Sequence, residues 1–150
     1  ETNGTEYYLD KGYTYCDTII PESEFYETNQ YKNFDGADWE ADDTQKEYLR
    51  QFVKLARENG SEVVFVTAPI ANISMELIDN YDDVHNELAA ISEELGVKYL
   101  DFNIVNMREN LFKLENFRDD AHLNDSGVKI ADKYYIEWLR NNTETFGNNN

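Results

Sequence analysis

Residues 62–69 read EVVFVTAP, a nearly continuous apolar and β-branched run that Pro69 brings to an end. A strand that wets one face alternates apolar and polar residues. A run without that alternation predicts a strand buried on both faces, the environment of a parallel sheet. Upstream, Thr44 and Glu47 stand in capping-box spacing, and Leu49, Phe52, Val53 and Ala56 follow at helical steps before Asn59 and Gly60. The spacing predicts a helix over 45–58. Downstream, Leu77, Ile78, Tyr81, Val84, Leu88, Ile91 and Leu95 recur every three or four residues, so one long helix or two short ones fill 75–95 and Gly96 closes them. A second strand, VKYLDF at 97–102, follows at once. Strand, crossover helix and strand within so short a span make a βαβ unit. A last helix is expected over 126–141, with Val128, Ala131, Tyr135, Trp138 and Leu139 on one stripe. The fold class is therefore α/β, with helices covering a parallel sheet.

Composition narrows the function classes. The chain has 150 residues, with 13 Lys and Arg against 31 Asp and Glu, a formal net charge of -18. That length suits one domain. The charge opposes phosphate backbones and anionic lipid surfaces, which bind proteins largely through Lys and Arg, so nucleic acid and membrane surfaces are set aside as partners. Cys16 is the only cysteine. No intrachain disulfide and no Cys/His metal cage follows from it, and no cofactor is expected. No apolar run approaches the roughly 18 residues of a membrane span, and no basic-then-apolar signal segment opens the chain.

Three stretches differ in character. Residues 1–43 are irregular and rich in Tyr and Asp, with TEYYLDKGYTYC at 5–16 reading as a hairpin that turns at Asp10, Lys11 and Gly12, and the remainder as a long loop. Residues 44–141 form the α/β core. Residues 142–150, ending in Gly147 and three asparagines, read as a frayed tail.

Working groups of an open parallel sheet gather where the strands' carboxyl ends meet the following loops. There the chain reads FRDDAHLNDSGVKIADKYYIEWL, residues 117–139, with Asp119 and His122 three apart directly before the last helix. A carboxylate at that spacing can hold one imidazole nitrogen and leave the other free to deprotonate a hydroxyl, the base half of a Ser-His-Asp triad. The bland alternative is that Asp119 and Asp120 solvate a loop while His122 packs at the helix start.

The longer pattern D-x-x-H-L-N-x-x-G, here Asp119, His122, Leu123, Asn124 and Gly127, resembles the last block of the SGNH, or GDSL-like, hydrolases. The nearest likeness is to the cell-surface branch acting on polymer O-acyl groups. The order of elements over 44–141 follows the same family. The resemblance implies a three-layer α/β/α fold with His122 as general base and Asp119 as its orienting partner. Asp120, two residues from His122, is the competitor for that role. It also implies an ester-linked acyl substrate, acetyl on a carbohydrate for example, and an extracellular, cell-surface or periplasmic setting.

The family's serine sits in a G-D-S-like block after the first strand, and no such block occurs here. Cys16-Asp17-Thr18 is a look-alike taken as coincidence. Ser61 precedes a strand, and Ser74, Ser92 and Ser126 lie on or beside helices. The expectation is that the chain, which opens on Glu1, is the later half of such a domain, incomplete on its N-terminal side and inactive alone. The alternative is a non-catalytic surface-binding or structural module.

Asn72 and Asn124 are candidate substrate-binding residues, although Asn72 more readily caps a helix. His85 reads as a half-exposed surface histidine. The acidic residues Asp35, Asp38, Asp42 and Asp43 do not match a calcium loop. The tyrosines of the first 43 residues, with Trp39, read either as a sugar-stacking surface or as a cover for the core.

Overall fold

The computed structural model describes residues 4–19, 21–27 and 29–147. The chain opens with a hairpin of β1 (Glu6–Asp10) and β2 (Tyr13–Cys16), antiparallel with Tyr7 opposite Tyr15. Its turn is Lys11-Gly12, both at positive φ (51° and 87°), the geometry that lets two residues reverse a twisted ribbon. The long loop expected after it is partly structured. Helix α1 (Glu22–Glu27) buries Phe25 in the core, and the short strand β3 (Phe34–Asp35) leads into a 3-10 turn at Gly36–Asp38.

Helix α2 (Asp43–Glu58) starts earlier than the spacing suggested, because Asp42 rather than Thr44 caps it. The Asp42 carboxylate accepts from the Gln45 N–H, and Gln45 reaches back to the Asp42 N–H. Strand β4 (Val64–Thr67) is shorter than the EVVFVTAP run. The 75–95 periodicity divides into α3 (Asn72–Glu76), β5 (Ile78–Asp79) and α4 (Tyr81–Leu95). Between them β5 pairs in parallel with β3, and Asn80 takes a left-handed conformation that restarts the chain as helix. Strand β6 (Lys98–Asp101) leads straight into α5 (Phe102–Glu109), for which the sequence offers no periodic signal. Asp101 creates that helix by accepting from the Asn103 and Ile104 N–H groups. Then come α6 (Asp125–Asn142) and the short α7 (Glu144–Gly147), where a frayed tail was expected; Asn148–Asn150 lie outside the described residues.

The architecture is α/β, with β4 and β6 paired in parallel, Val64 opposite Lys98 and Thr67 opposite Asp101. Among the described residues the strands make three two-stranded pairs, β1–β2, β3–β5 and β4–β6. The main buried cluster gathers around β6 and α5. Leu100, Phe102, Val105, Phe112 and Phe117 interlock there with Phe25, Ala71 and Ile73 under the α6 stripe of Ile130, Ala131, Tyr134, Tyr135 and Trp138. The expectation of a strand buried on both faces fails for β4. Val64 and Phe65 are half-buried and Val66 keeps 41% of its surface in water. The cause is visible in the pairing, since β4 has a neighbour on one edge alone among the described residues.

Candidate functional site

The loop from Asn116 to Asn124 is a closed structure. Phe117 and Leu123 form a bridge, the Arg118 N–H donates to the His122 carbonyl at 2.9 Å, and the Asn124 N–H donates to the Asn116 carbonyl at 2.9 Å. Inside it, Asp119 Oδ1 accepts from the Ala121 and His122 N–H groups at 2.9 and 2.7 Å, an arrangement Asp favours at turns. The same carboxylate meets the ring of its neighbour. His122 Nδ1 lies 2.9 Å from Asp119 Oδ1 and 3.0 Å from Oδ2.

Each other member of the pattern is accounted for by the fold. Leu123 packs on the core. Buried Asn124 caps α6, its Oδ1 accepting from the Ser126 and Gly127 N–H groups and the Ser126 hydroxyl. Its amide nitrogen donates to the carbonyls of Thr18 and Glu115. Both arms are committed to groups of the protein itself, so Asn124 holds the loop. A Cβ on Gly127 would sit 2.3 Å from the Asn116 carbonyl oxygen, which makes glycine obligatory there. His122 is different. With 63% of its side chain exposed, its ring hydrogen-bonds Asp119 through Nδ1, and Nε2 has no hydrogen-bond partner among the described residues.

Asp120 does not compete for the ring. Its carboxylate accepts from Gln30, at 2.8 Å from the backbone N–H and 3.2 Å from the amide, and its carbonyl accepts from the Ala71 N–H and the Ser74 hydroxyl. Two groups not anticipated from sequence border the dyad. Arg118 lies 3.6 Å from Asp119 and 3.5 Å from Glu6, tying the hairpin to the loop. The phenol of half-buried Tyr31 is pushed up from its usual pKa by burial first, then by the negative charges of Asp120 and Asp119, so it stays a proton donor.

Of the five serines, Ser23 and Ser61 are exposed and make no hydrogen bond to His122 among the described residues, and the other three have their hydroxyls committed. Ser74 is fully buried and donates to the Asp120 carbonyl, Ser92 donates to the Leu88 carbonyl, and Ser126 serves the α6 cap. Thr18 meets this region through its carbonyl, which accepts from Asn124.

Asn72 opens α3 without capping it, the cap position being Ala71. Its side chain turns to α5, where Oδ1 accepts from Asn106 at 2.6 Å. Together with Met75, Asn106, Met107 and Asn110 it lines an open hollow of about 450 Å³ to which neither His122 nor Asp119 contributes. His85 is half-exposed, as its sequence setting suggested, but its ring is held in place. Its Nδ1 lies 2.9 Å from Asp101 Oδ2, and its ring stacks on Tyr99. The Asp101 side chain, 2% exposed, also accepts from the Tyr81 and Tyr99 hydroxyls. Both phenols are pushed above the ordinary tyrosine range. For Tyr81 burial leads and the Asp101 charge adds to it. For Tyr99 burial leads, the Thr67 hydrogen bond opposes it, and Asp101 adds. A histidine sixteen residues before an aspartate gives no sequence signal, because only the β6–α4 packing joins them.

Of the aromatic residues near the N-terminus, Phe25 is in the core, Tyr7 stacks on Tyr15, and Tyr7, Tyr8 and Tyr26 are exposed. Among the described residues no group of three or more His, Cys, Asp or Glu could hold a metal ion, and no helix is long and apolar enough to cross a membrane.

No family model, curated protein or solved structure matches this chain.

Proposed function

We propose that the chain carries the base half of an SGNH-like serine hydrolase or O-acyltransferase, working outside the cytoplasm on ester-linked acyl groups of a carbohydrate. The observation that supports this reading most is His122, oriented by Asp119 through Nδ1, mostly exposed, and without a hydrogen bond at Nε2 among the described residues. In that role Nε2 takes the proton of a serine hydroxyl as the oxygen attacks the acyl carbon, then returns it to the departing alcohol, while Asp119 stabilises the imidazolium. The serine and the donors for the oxyanion come from outside these 150 residues, and the strands that carry them extend the β4–β6 pair into the three-layer sheet of the family.

The test has two parts. The chain alone should hydrolyse p-nitrophenyl acetate no faster than free imidazole at equal concentration. A polypeptide that includes the residues encoded before Glu1 should contain a G-D-S-like block and react with a serine-directed phosphonate. It should lose about 10⁴-fold in kcat on His122→Ala and on Asp119→Asn. An upstream sequence without such a block, or full activity in His122→Ala, overturns the proposal.

One observation favours the second reading, a non-catalytic binding or structural module. Asp119, Leu123, Asn124 and Gly127 are each required to build the loop, so the pattern can persist without chemistry. Under that reading His122→Ala leaves every binding and activity measurement of the longer polypeptide unchanged.

A further inference from the structure

The apolar stripe of α6 changes character as the helix runs. Ile130, Ala131, Tyr134, Tyr135 and Trp138 pack on the core. The next positions of the same period hold Asn141 and Asn142 in place of apolar residues, and Glu137 stands beside them. Residues 134, 137, 138, 141 and 142 recur at steps of three and four, so they share one face of the helix. Glu109 joins them from the end of α5, where Asn110 turns left-handed (φ 50°) and stops that helix. Together Glu109, Tyr134, Glu137, Trp138, Asn141 and Asn142 line an open hollow of about 420 Å³. That volume is within the range of roughly 300–1,000 Å³ typical of small-molecule sites. The hollow lies about 20 Å along the helix axis from Asp125, the first residue of α6, so it is separate from the His122 loop.

Its rings are held and its polar groups are uncommitted. Trp138 stacks on Tyr135 with ring centroids 6.3 Å apart, and Tyr134 packs against Phe102 at 5.8 Å, so both rings keep their planes without a ligand. The Trp138 indole N–H, the Glu137 carboxylate and the Asn141 amide make no hydrogen bond or ion pair among the described residues. Glu109 gives Oε1 to Arg108 and keeps Oε2. Asn142 keeps its side-chain oxygen, its amide nitrogen donating to the Trp138 carbonyl. These groups select the ligand. The negative faces of aromatic rings attract either a cation or the weakly positive C–H bonds of a pyranose ring. A cation would leave the indole and amide N–H donors unmatched. A hydroxyl both gives and accepts a hydrogen bond, so it can meet donors and acceptors alike. An acidic sugar would bring its carboxylate against Glu109 and Glu137, an unfavourable contact at short range. We propose that this hollow binds one neutral pyranose unit of a carbohydrate. Its C–H bonds lie against the Tyr134 and Trp138 rings, and its hydroxyls are shared among Glu137, Asn141 and the indole N–H. The site needs neither His122 nor Asp119.

The probes are cellotetraose, chitotetraose, mannotetraose and xylotetraose, titrated at millimolar concentration into the isotope-labelled chain. Tetragalacturonate and choline serve as the acidic and the cationic control. At least one neutral tetrasaccharide should move the Trp138 indole N–H resonance in a saturable way, while that of Trp39 stays in place. Asn141→Ala and Glu137→Gln, both at exposed positions, should each weaken that binding about three- to tenfold, the loss of one hydrogen bond. His122→Ala should bind the sugar as the parent does, whatever its effect on ester hydrolysis. No saturable Trp138 shift with any of the four sugars, an equal shift with tetragalacturonate or choline, or indifference to both α6 variants overturns the proposal. So does weakened binding in His122→Ala, since the sugar would then occupy the dyad's cleft.

Discussion

Replacing Gly127 with alanine should destabilise the protein, against the usual preference of helices. Gly127 lies in the first turn of α6, and at an unobstructed helical position the added methyl would gain about 1 kcal/mol. Here the new Cβ falls 2.3 Å from the Asn116 carbonyl oxygen and 2.7 Å from Leu123 Cδ2. Leu123 can rotate away, but the carbonyl is backbone and must move by about an ångström to reach ordinary contact. It already accepts the Asn124 N–H at 2.9 Å, so moving it strains the bond that closes the Asp119–His122 loop. Overpacking costs about 1–3 kcal/mol and a weakened buried hydrogen bond about 1–3, which leaves a net loss of about 1–5 kcal/mol once the helical gain is subtracted. Urea unfolding followed by far-UV circular dichroism reads this as a midpoint about 0.5–2.5 M lower. Gly60 is the control, with φ at +75° and nothing within 4 Å of its added Cβ. Its alanine variant should lose only about 1–2 kcal/mol, from left-handed backbone strain. A Gly127→Ala protein as stable as the parent would refute the close-approach account of the pattern.

Phe112, fully buried against Phe102 and Phe117, should lose about 3–5 kcal/mol as alanine, read from the same urea curves. Tyr81 and Tyr99 hold folded-state pKa values above the ordinary 10.0, so the stability they lend is whole below pH 10 and lost as the pH climbs beyond it. Absorbance at 295 nm should therefore show tyrosines that ionise only with alkaline unfolding, and ionisation of all eleven before circular dichroism changes would count against this. The Glu62 carboxylate is held below its ordinary 4.5 by the Thr145 and Glu144 N–H groups, at 2.9 and 3.0 Å. A lowered carboxylate contributes above pH 4.5 and ceases to as the pH falls through its folded value. The Glu144 and Thr145 amide resonances should move together in that acid range, and Glu62→Gln should abolish the transition.

The order of helix and strand over 44–141 was legible because the longer elements carry strong periodicity and clear stops, such as Gly96 after α4. What escaped was decided by single contacts. Helix α5 exists because Asp101 accepts two N–H groups, and a lone aspartate after a strand carries no such signal. The break at β5 depends on pairing with β3 more than forty residues away, which local periodicity cannot register. At the site, the Asp119–His122 contact was readable because three residues in a turn fix the geometry, as was the choice of Asp119 over Asp120 by spacing. The Asp101–His85 contact was not, since tertiary packing alone creates it. The burial of β4 was misjudged for a different reason. Apolar composition reports what a strand requires of its surroundings, and not whether these residues supply it.

That strand has a consequence for handling the protein. The window VVFVTA, residues 63–68, is β-prone, uncharged and free of proline until Pro69, the composition of segments that stack into cross-β fibres. Mutual repulsion between copies is what opposes such stacking here, and it fails near the pI of about 4.2, where the charge vanishes. Concentrated salt would have the same effect by screening. The surplus of acid residues thus serves as a colloidal guard for an edge that has no strand beside it among the described residues.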